Sequence, residues 1–397
     1  MREFLLIPWL RALHSLKDIS ERLRLNNMNI LIAPDSFKGT LTAQQVCDII
    51  GQAFAETINN AKIVKSPAAD GGEGLCACMH EILGGELKNA VVSGVFGEKI
   101  SAEYLMLSDK TAVIEMAACA GLPLAGKNKN PEKSTTFGVG ELINDAVSNG
   151  AEKILLGLGG SATNDCGFGM AAALGWKFLD ENCNAFVPVG GTLTKVAKIV
   201  KPEKTFDIPV TVACDVENPL YGKNGAAYIF AQQKGADTAM VERLDSGLRH
   251  AAEIIKNDLS IEAAGIKGAG AAGGMGAGAV AFLNAELKKG IDILLDAADF
   301  DKKAADADLI ITGEGRLDFQ SVNGKVISGV AKRAARLNKK VITICGSRGN
   351  GAEEIKKLCI SEVYFACEIE KSFEEVKRTC KEDLYNIALK AAKSGVV

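Results

Sequence analysis

Residues 28–39 read Met-Asn-Ile-Leu-Ile-Ala-Pro-Asp-Ser-Phe-Lys-Gly, and residues 309–316 read Leu-Ile-Ile-Thr-Gly-Glu-Gly-Arg. Each is a short apolar run breaking into a loop of acid, glycine and cation. That pattern marks a buried strand of a parallel sheet with polar groups at its carboxyl end. Outward from the first run, Thr42 is placed to cap a helix reaching about Ile58, with Val46, Ile49, Ile50 and Phe54 at helical spacing. A strand at Lys62–Ser66 and a helix at Leu75–Leu83 follow. Outward from the second run, Val341–Cys345 and Glu362–Phe365 read as strands, with a helix over about Val326–Leu337.

The stretch between the two runs breaks this alternation. Leu87–Val95, Ile100–Met106 and Thr111–Met116 are strand-like and joined by Phe96-Gly-Glu98 and Ser108-Asp-Lys110. Such short links join antiparallel strands, because a parallel pair needs a long crossover. A helix at Thr136–Asn149, a strand at Lys153–Leu158, a helix at Gly167–Leu174, a strand at Val210–Cys214 and a helix at Met240–Leu259 complete the stretch. The reading is an α/β chain with a discontinuous parallel-sheet domain, residues 28–66 and 290–397, around an inserted mixed α/β domain, residues 67–289. Residues 1–27 mix apolar and basic side chains and stand apart as an extension of doubtful role.

Composition narrows the function. The 397 residues carry 46 Lys and Arg against 49 Asp and Glu, so no net basic field marks nucleic acid as a partner. No apolar run reaches the roughly 18 residues a membrane span needs. Eleven cysteines are scattered without paired CxxC motifs, which fits free thiols in a reducing cytoplasm. Three histidines leave little material for a histidine metal site or a Ser-His-Asp triad. Glycine is in excess at 42 residues, which suggests tight turns and backbone close to a ligand.

Six loops carry chemistry. Asp35, Ser36 and Lys38 offer a carboxylate, a hydroxyl and an ammonium after a strand, or else a helix cap beside a solvated lysine. Asp70, Gly71, Gly72 and Glu73 lead into a helix, where N–H groups can meet an anion while acids recruit a cation, or form a flexible turn. Gly159, Gly160, Ser161, Thr163, Asn164 and Asp165 follow a strand and precede a helix, the recipe for a phosphate cradle. This stretch has neither the GK[ST] ending of a P-loop nor GxGxxG spacing. Asp215 ends a strand and precedes Asn218 in an Asn-Pro turn. The run 268–278, with Gly268, Gly270, Gly273 and Gly274, reads as a nucleotide-facing loop before a helix, or as a connector. Glu314, Arg316, Asp318 and Lys325 crowd two acids and two cations after a buried strand. The shared chemistry is a phosphorylated, metal-bound small molecule.

These motifs resemble the bacterial type I glycerate kinases. The resemblance rests on 33–39 (Ala-Pro-Asp-Ser-Phe-Lys-Gly), 69–74 (Ala-Asp-Gly-Gly-Glu-Gly), 135–138 (Thr-Thr-Phe-Gly) and 159–165 (Gly-Gly-Ser-Ala-Thr-Asn-Asp). It extends through 214–219 (Cys-Asp-Val-Glu-Asn-Pro), 233–236 (Gln-Lys-Gly-Ala), 268–274 and 311–320. The motifs run in order from Met28 to near the C-terminus. Cys166 stands where the family usually has glycine, and 117–121 is less serine-rich than the family version. The resemblance implies a flavodoxin-like domain with an inserted second domain, and ATP-dependent, Mg²⁺-requiring phosphorylation of D-glycerate, with 2-phosphoglycerate favoured.

On chemical type, Lys38, Arg316 and Lys325 are expected to neutralise the glycerate carboxylate and the transferring phosphoryl group. Asp165, Asp215 and Asp318 are expected to hold Mg²⁺ or accept the hydroxyl proton. Asp35, Ser36, Asp70, Gly71, Gly72, Glu73, Asn164 and Asn218 are expected to bind substrate. Gly159, Gly160, Ser161, Thr163, Gly268, Gly270, Gly273, Gly274 and Glu314 are expected at the nucleotide. A cytoplasmic monomer or homodimer is expected. The competing readings are a kinase for another small hydroxy acid and an inactive nucleotide-binding relative, which would have lost acids that this chain keeps. Every motif lies after Met28, so a chain starting there is expected to retain full activity. A large loss in folded, shortened protein would assign the leader to the enzyme.

Overall fold

In the computed structural model of the chain, which describes residues 28–69, 74–204, 206–322, 325–367 and 371–394, Asn29–Ile32 pairs in parallel with Leu309–Thr312 and with Lys62–Lys65. Lys340–Cys345 and Glu362–Phe365 extend the sheet, again in parallel, beyond Leu309–Thr312. In chain order the strands lie 2-1-3-4-5, the flavodoxin-like order. The two edges of this sheet grow in opposite directions from the pair Asn29–Ile32 and Leu309–Thr312. Ligands of open α/β sheets bind at the carboxyl ends of such a pair.

The sequence explains these elements. Ile30, Leu31, Ile32 and all of Leu309–Thr312 are buried, as a strand covered on both faces requires. Helix Ala43–Thr57 starts from Thr42, whose hydroxyl accepts the N–H of Gln45 while the Gln45 side chain accepts the N–H of Thr42. Its buried Val46, Ile50 and Phe54 pack against Ile30, Ile32, Leu309 and Ile311. Helix Phe373–Lys393, not foreseen in the sequence, packs against Ala43–Thr57. Leu384 and the small Ala388, Ala391 and Ala392 form its buried stripe, too faint a hydrophobic signal to read from the text.

The described residues divide into two units, one of 28–68 with 298–394 and one within 69–297. Helix Gly290–Ala297, expected in the first unit, belongs to the second, where it packs on Leu75–Leu83 and Val210–Ala213. Residues 1–27 lie outside the described residues.

The second unit holds a six-stranded mixed sheet. Glu86–Ser93, Lys99–Met106 and Thr111–Glu115 run antiparallel to one another in turn, the interruption that their short links required. Lys153–Gly157, Val210–Ala213 and Glu286–Lys288 then continue in parallel from Thr111–Glu115. A small antiparallel sheet of Lys177–Leu179, Ala185–Phe186 and Lys198–Val200 was not anticipated. Phe178 of that sheet stacks on Phe168 at 4.5 Å, with Phe282 edge-on to both. Among the described residues no helix is long and apolar enough to cross a membrane.

Gly313 follows Leu309–Thr312, and a Cβ there would stand 1.9 Å from the Ile344 carbonyl oxygen. Gly313→Ala is therefore expected to destabilise the first unit by about 1–3 kcal/mol, the usual cost of overpacking. A melting temperature within a degree of wild type would remove this constraint.

Candidate active site

The carboxyl ends of Asn29–Ile32 and Leu309–Thr312 are laced together beyond the strands themselves. Asp35 N–H donates to the Gly313 carbonyl at 2.8 Å, and the Thr312 hydroxyl donates to the Ala33 carbonyl at 2.9 Å. On the far side, Gly346 N–H donates to the Glu314 carbonyl at 3.0 Å. These bonds set the two loops side by side and open a cavity of about 910 Å³. Asp35, Ser36, Lys38, Glu314, Arg316, Asp318 and Lys325, all expected from sequence, line it together.

Sequence reasoning missed further lining groups: Arg348, Lys371, Phe365 and Phe373. Arg348 lies over the Phe365 ring at 4.8 Å, and Lys371 is tied to Asp383 at 2.6 Å. Arg348 was findable, because Ser347 and Arg348 follow the strand Lys340–Cys345 as Gly313–Arg316 follow theirs.

Glu314 is the unusual group of this wall. It is 6% exposed, and its Oε1 has no hydrogen-bond partner. Burial pushes its carboxyl up to about 7, against the opposing pull of a Ser321 hydrogen bond and the Lys325 charge; Asp35 and Asp318 push it further up.

The second unit meets the expectations differently. At the helix start that follows its glycine-rich turn, N–H groups are taken by the chain's own carboxylate. Asp165 is wholly buried and accepts the N–H of Thr136 at 2.7 Å, the Thr136 hydroxyl at 2.8 Å, and the N–H groups of Gly167 and Gly169. Burial raises its carboxyl while these donors hold it down. An acid so committed has little left for a metal ion. Likewise Glu115 accepts the N–H groups of Gly74, Leu75 and Cys76, the helix start proposed as an anion site. Asp70, Gly71, Gly72 and Glu73 lie outside the described residues.

Ser161, Thr163 and Asn164 are buried, whereas Gly159 is half-buried and Gly160 exposed. Lys234 is 2% exposed and donates to the Ser161 hydroxyl at 2.8 Å and the Thr163 carbonyl at 2.7 Å. Burial pulls its ammonium down to about 7, with the Asp165 charge opposing. Asp215 accepts the Gly290 N–H at 2.9 Å, and Asn218 donates to the Asn224 carbonyl.

The glycine run 268–278 is closely packed against neighbouring backbone. Helix Ala271–Leu283 passes through left-handed backbone at Ala272, Gly273 and Gly274. A Cβ on Gly273 would stand 2.0 Å from the Thr163 carbonyl, and one on Gly270 2.2 Å from that of Pro219. Gly268, Gly270, Gly273 and Gly274 are all buried, so chain against chain already explains them. Among the described residues, no three His, Cys, Asp or Glu side chains gather to hold a metal ion.

Residues 30–394 match the glycerate kinase family model. A glycerate kinase of Halalkalibacterium halodurans is 47% identical over 82% of this chain and 87% of its own length. The glycerate 2-kinase of Escherichia coli K12 is also 47% identical, over 81% and 85%. A solved chain described as a candidate glycerate kinase 2 of Salmonella typhimurium LT2 superposes with a TM-score of 0.81 at 41% identity, covering 92% of this chain and 98% of that one.

The Lys234 ammonium carries the clearest pH consequence in the second unit. The folded chain gives up this proton near pH 7, the unfolded chain only near 10.5. Between those values the unfolded state binds more protons, so this group makes stability rise with pH. Wild type is expected to gain on Lys234→Met as pH rises from 7 towards 10, measured by denaturant unfolding. A difference that stays flat over that range would rule out a neutral buried amine.

Proposed function

Because the chain belongs to the glycerate kinase family, we propose that it transfers the γ-phosphoryl group of ATP to D-glycerate, giving 2-phosphoglycerate. The observation carrying the reading is the cavity at the sheet's switch point, where the family's acid, lysine and arginine motifs line one wall together. Phosphoryl transfer asks the protein for positioning and charge neutralisation more than for covalent chemistry.

Lys38, Arg316 and Lys325 supply three cations for a carboxylate and a phosphoryl group, with arginine suited to a planar, two-point grip. Asp35, Ser36 and Asp318 on the same wall are proposed to hold the glycerate hydroxyls. In the glycine-rich turn of the second unit, Gly159 and Gly160 are proposed for the nucleotide phosphates, because the rest of that turn is buried. Mg²⁺ is proposed to arrive as part of the ATP substrate. Mg²⁺ held in this way needs only one or two carboxylates beside phosphate oxygens.

Turnover of D-glycerate with ATP is expected to stop on chelation of Mg²⁺ and to return when it is restored. Product position is read by phosphorus NMR against a panel of small hydroxy acids; a faster acceptor than D-glycerate would move the assignment to that acid. Lys38→Ala and Arg316→Ala are each expected to raise a KM about tenfold or more, because a cation that holds a ground-state anion contributes to binding. Unchanged KM for both substrates in both variants would take the cavity out of substrate binding.

A further inference from the structure

We propose that Glu314, rather than any of the three aspartates expected from sequence, accepts the proton of the substrate hydroxyl during transfer. This rests on the kinase reading above.

Among the described residues, Glu314 Oε1 is the one carboxylate oxygen buried without a hydrogen-bond partner. A buried carboxyl oxygen without a partner is costly, and a catalytic role is one physical reason for a fold to keep it. This one lines the cavity at the carboxyl end of Leu309–Thr312, on the switch point of the sheet. Its backbone has little freedom. The Glu314 carbonyl accepts from Gly346, its neighbour Gly313 accepts from Asp35, and a Cβ on Gly315 would stand a tight 3.1 Å from Phe37 Cα. The side chain therefore points from a clamped turn, as a group that must meet one particular oxygen should.

Of the three aspartates, Asp165 is surrounded by four donors, Asp215 holds the Gly290 N–H, and Asp318, on the same wall as Glu314, accepts the Ser321 hydroxyl at 3.5 Å. Charged and titratable groups face Glu314 from every neighbouring element: Asp35 and Lys38 from the first loop, Arg316 and Asp318 from its own, Lys325 from the next helix, and Cys345 and Arg348 from the adjacent strand end. Lys371 stands on the remaining wall. Lys325 favours the carboxylate, while Asp35, Asp318 and burial favour the acid. The balance near neutrality is where a proton acceptor combines availability with driving force.

The step conserves atoms and electrons. The hydroxyl O–H bond breaks and its proton goes to the Glu314 carboxylate. The freed oxygen pair forms the bond to the γ-phosphorus, and the P–O bond to ADP breaks with its pair leaving on ADP. The proton later passes from Glu314 to solvent.

Glu314→Gln keeps the shape and removes the acceptor. Its single-turnover transfer rate is expected to fall about 10²-fold or more, with ADP affinity within threefold of wild type. Wild-type kcat/KM is expected to show an acidic limb near pH 7, and the residual activity of Glu314→Gln to lack it. The same change removes a buried charge, so its melting temperature relative to wild type is expected to rise between pH 5 and pH 8. Glu314→Asp, which keeps a carboxylate one methylene shorter, is expected to retain the acidic limb at a lower rate, and it decides the matter if Glu314→Gln fails to fold. A Glu314→Gln rate within fivefold of wild type with the limb intact would overturn the proposal. So would lost ADP affinity with an unchanged transfer rate, which would make Glu314 a nucleotide contact. Wild-type protein that phosphorylates no hydroxy acid would instead fail the kinase reading, and the proposal with it.

Discussion

The parallel pairing of Asn29–Ile32 with Leu309–Thr312 is the contact on which the rest depends. Ile30 meets Leu309 and Ile32 meets Ile311, residues separated in the chain by the whole second unit. Closing so long a loop costs little more entropy than closing a shorter one, because the cost grows only with the logarithm of length. What holds the pairing is burial: both strands lie under the helix Ala43–Thr57, and its Val46, Ile50 and Phe54 reach their side chains. Once these two strands are neighbours, the loops behind them must be neighbours too. The acids and cations of 35–38 and 314–318 share one cavity for that reason and no other.

The two units use carboxylates in opposite ways. In the second unit, Asp165 and Glu115 each sit where backbone N–H groups converge, so the positive end of a local structure is neutralised from within. A buried carboxylate with several donors ties separate segments together: Asp165 joins the start of Phe137–Ser148 to the turn before Phe168–Ala173. Glu314 in the first unit is buried to a similar degree and lacks that complement of donors. The difference separates an acid that holds a fold from one that is free to exchange a proton.

Much of this was legible and some of it was not, for reasons that can be named. The strands 29–32, 309–312 and 362–365 are continuous apolar runs bounded by loops, and Thr42 with Gln45 advertises the helix start. The lining groups 35, 36, 38, 314, 316, 318 and 325 were readable because polar residues directly after a buried strand have one place to go. The second unit's glycine-rich stretches are harder to sort, because a glycine that admits a phosphate and one that admits another backbone look alike in sequence. Gly273 against the Thr163 carbonyl and Gly278 against that of Cys166 are the second kind. Cys166 gives the complementary case: it has φ +56°, left-handed backbone, where related chains were expected to carry glycine. Helix Phe373–Lys393 stayed hidden because alanines make most of its buried face.

Stability and chemistry pull against each other at Glu314. The folded chain holds this proton up to about pH 7, while an exposed glutamate releases it near 4.5. Between those values the folded state binds more protons, so this group makes stability fall as pH rises. Lys234 acts with the opposite slope, and over the next interval, from about 7 to 10.5. Near neutrality the protein therefore carries the cost of both buried groups almost in full. For Lys234 that cost is offset by two hydrogen bonds that a neutral amine can still make, to Ser161 and Thr163. Glu314 Oε1 has no such return in the folded chain. A residue that destabilises its own fold and still lines the cavity of the family's shared motifs fits the trade of stability for activity common at working sites. On the proposal above, the return comes when the substrate hydroxyl brings the missing donor.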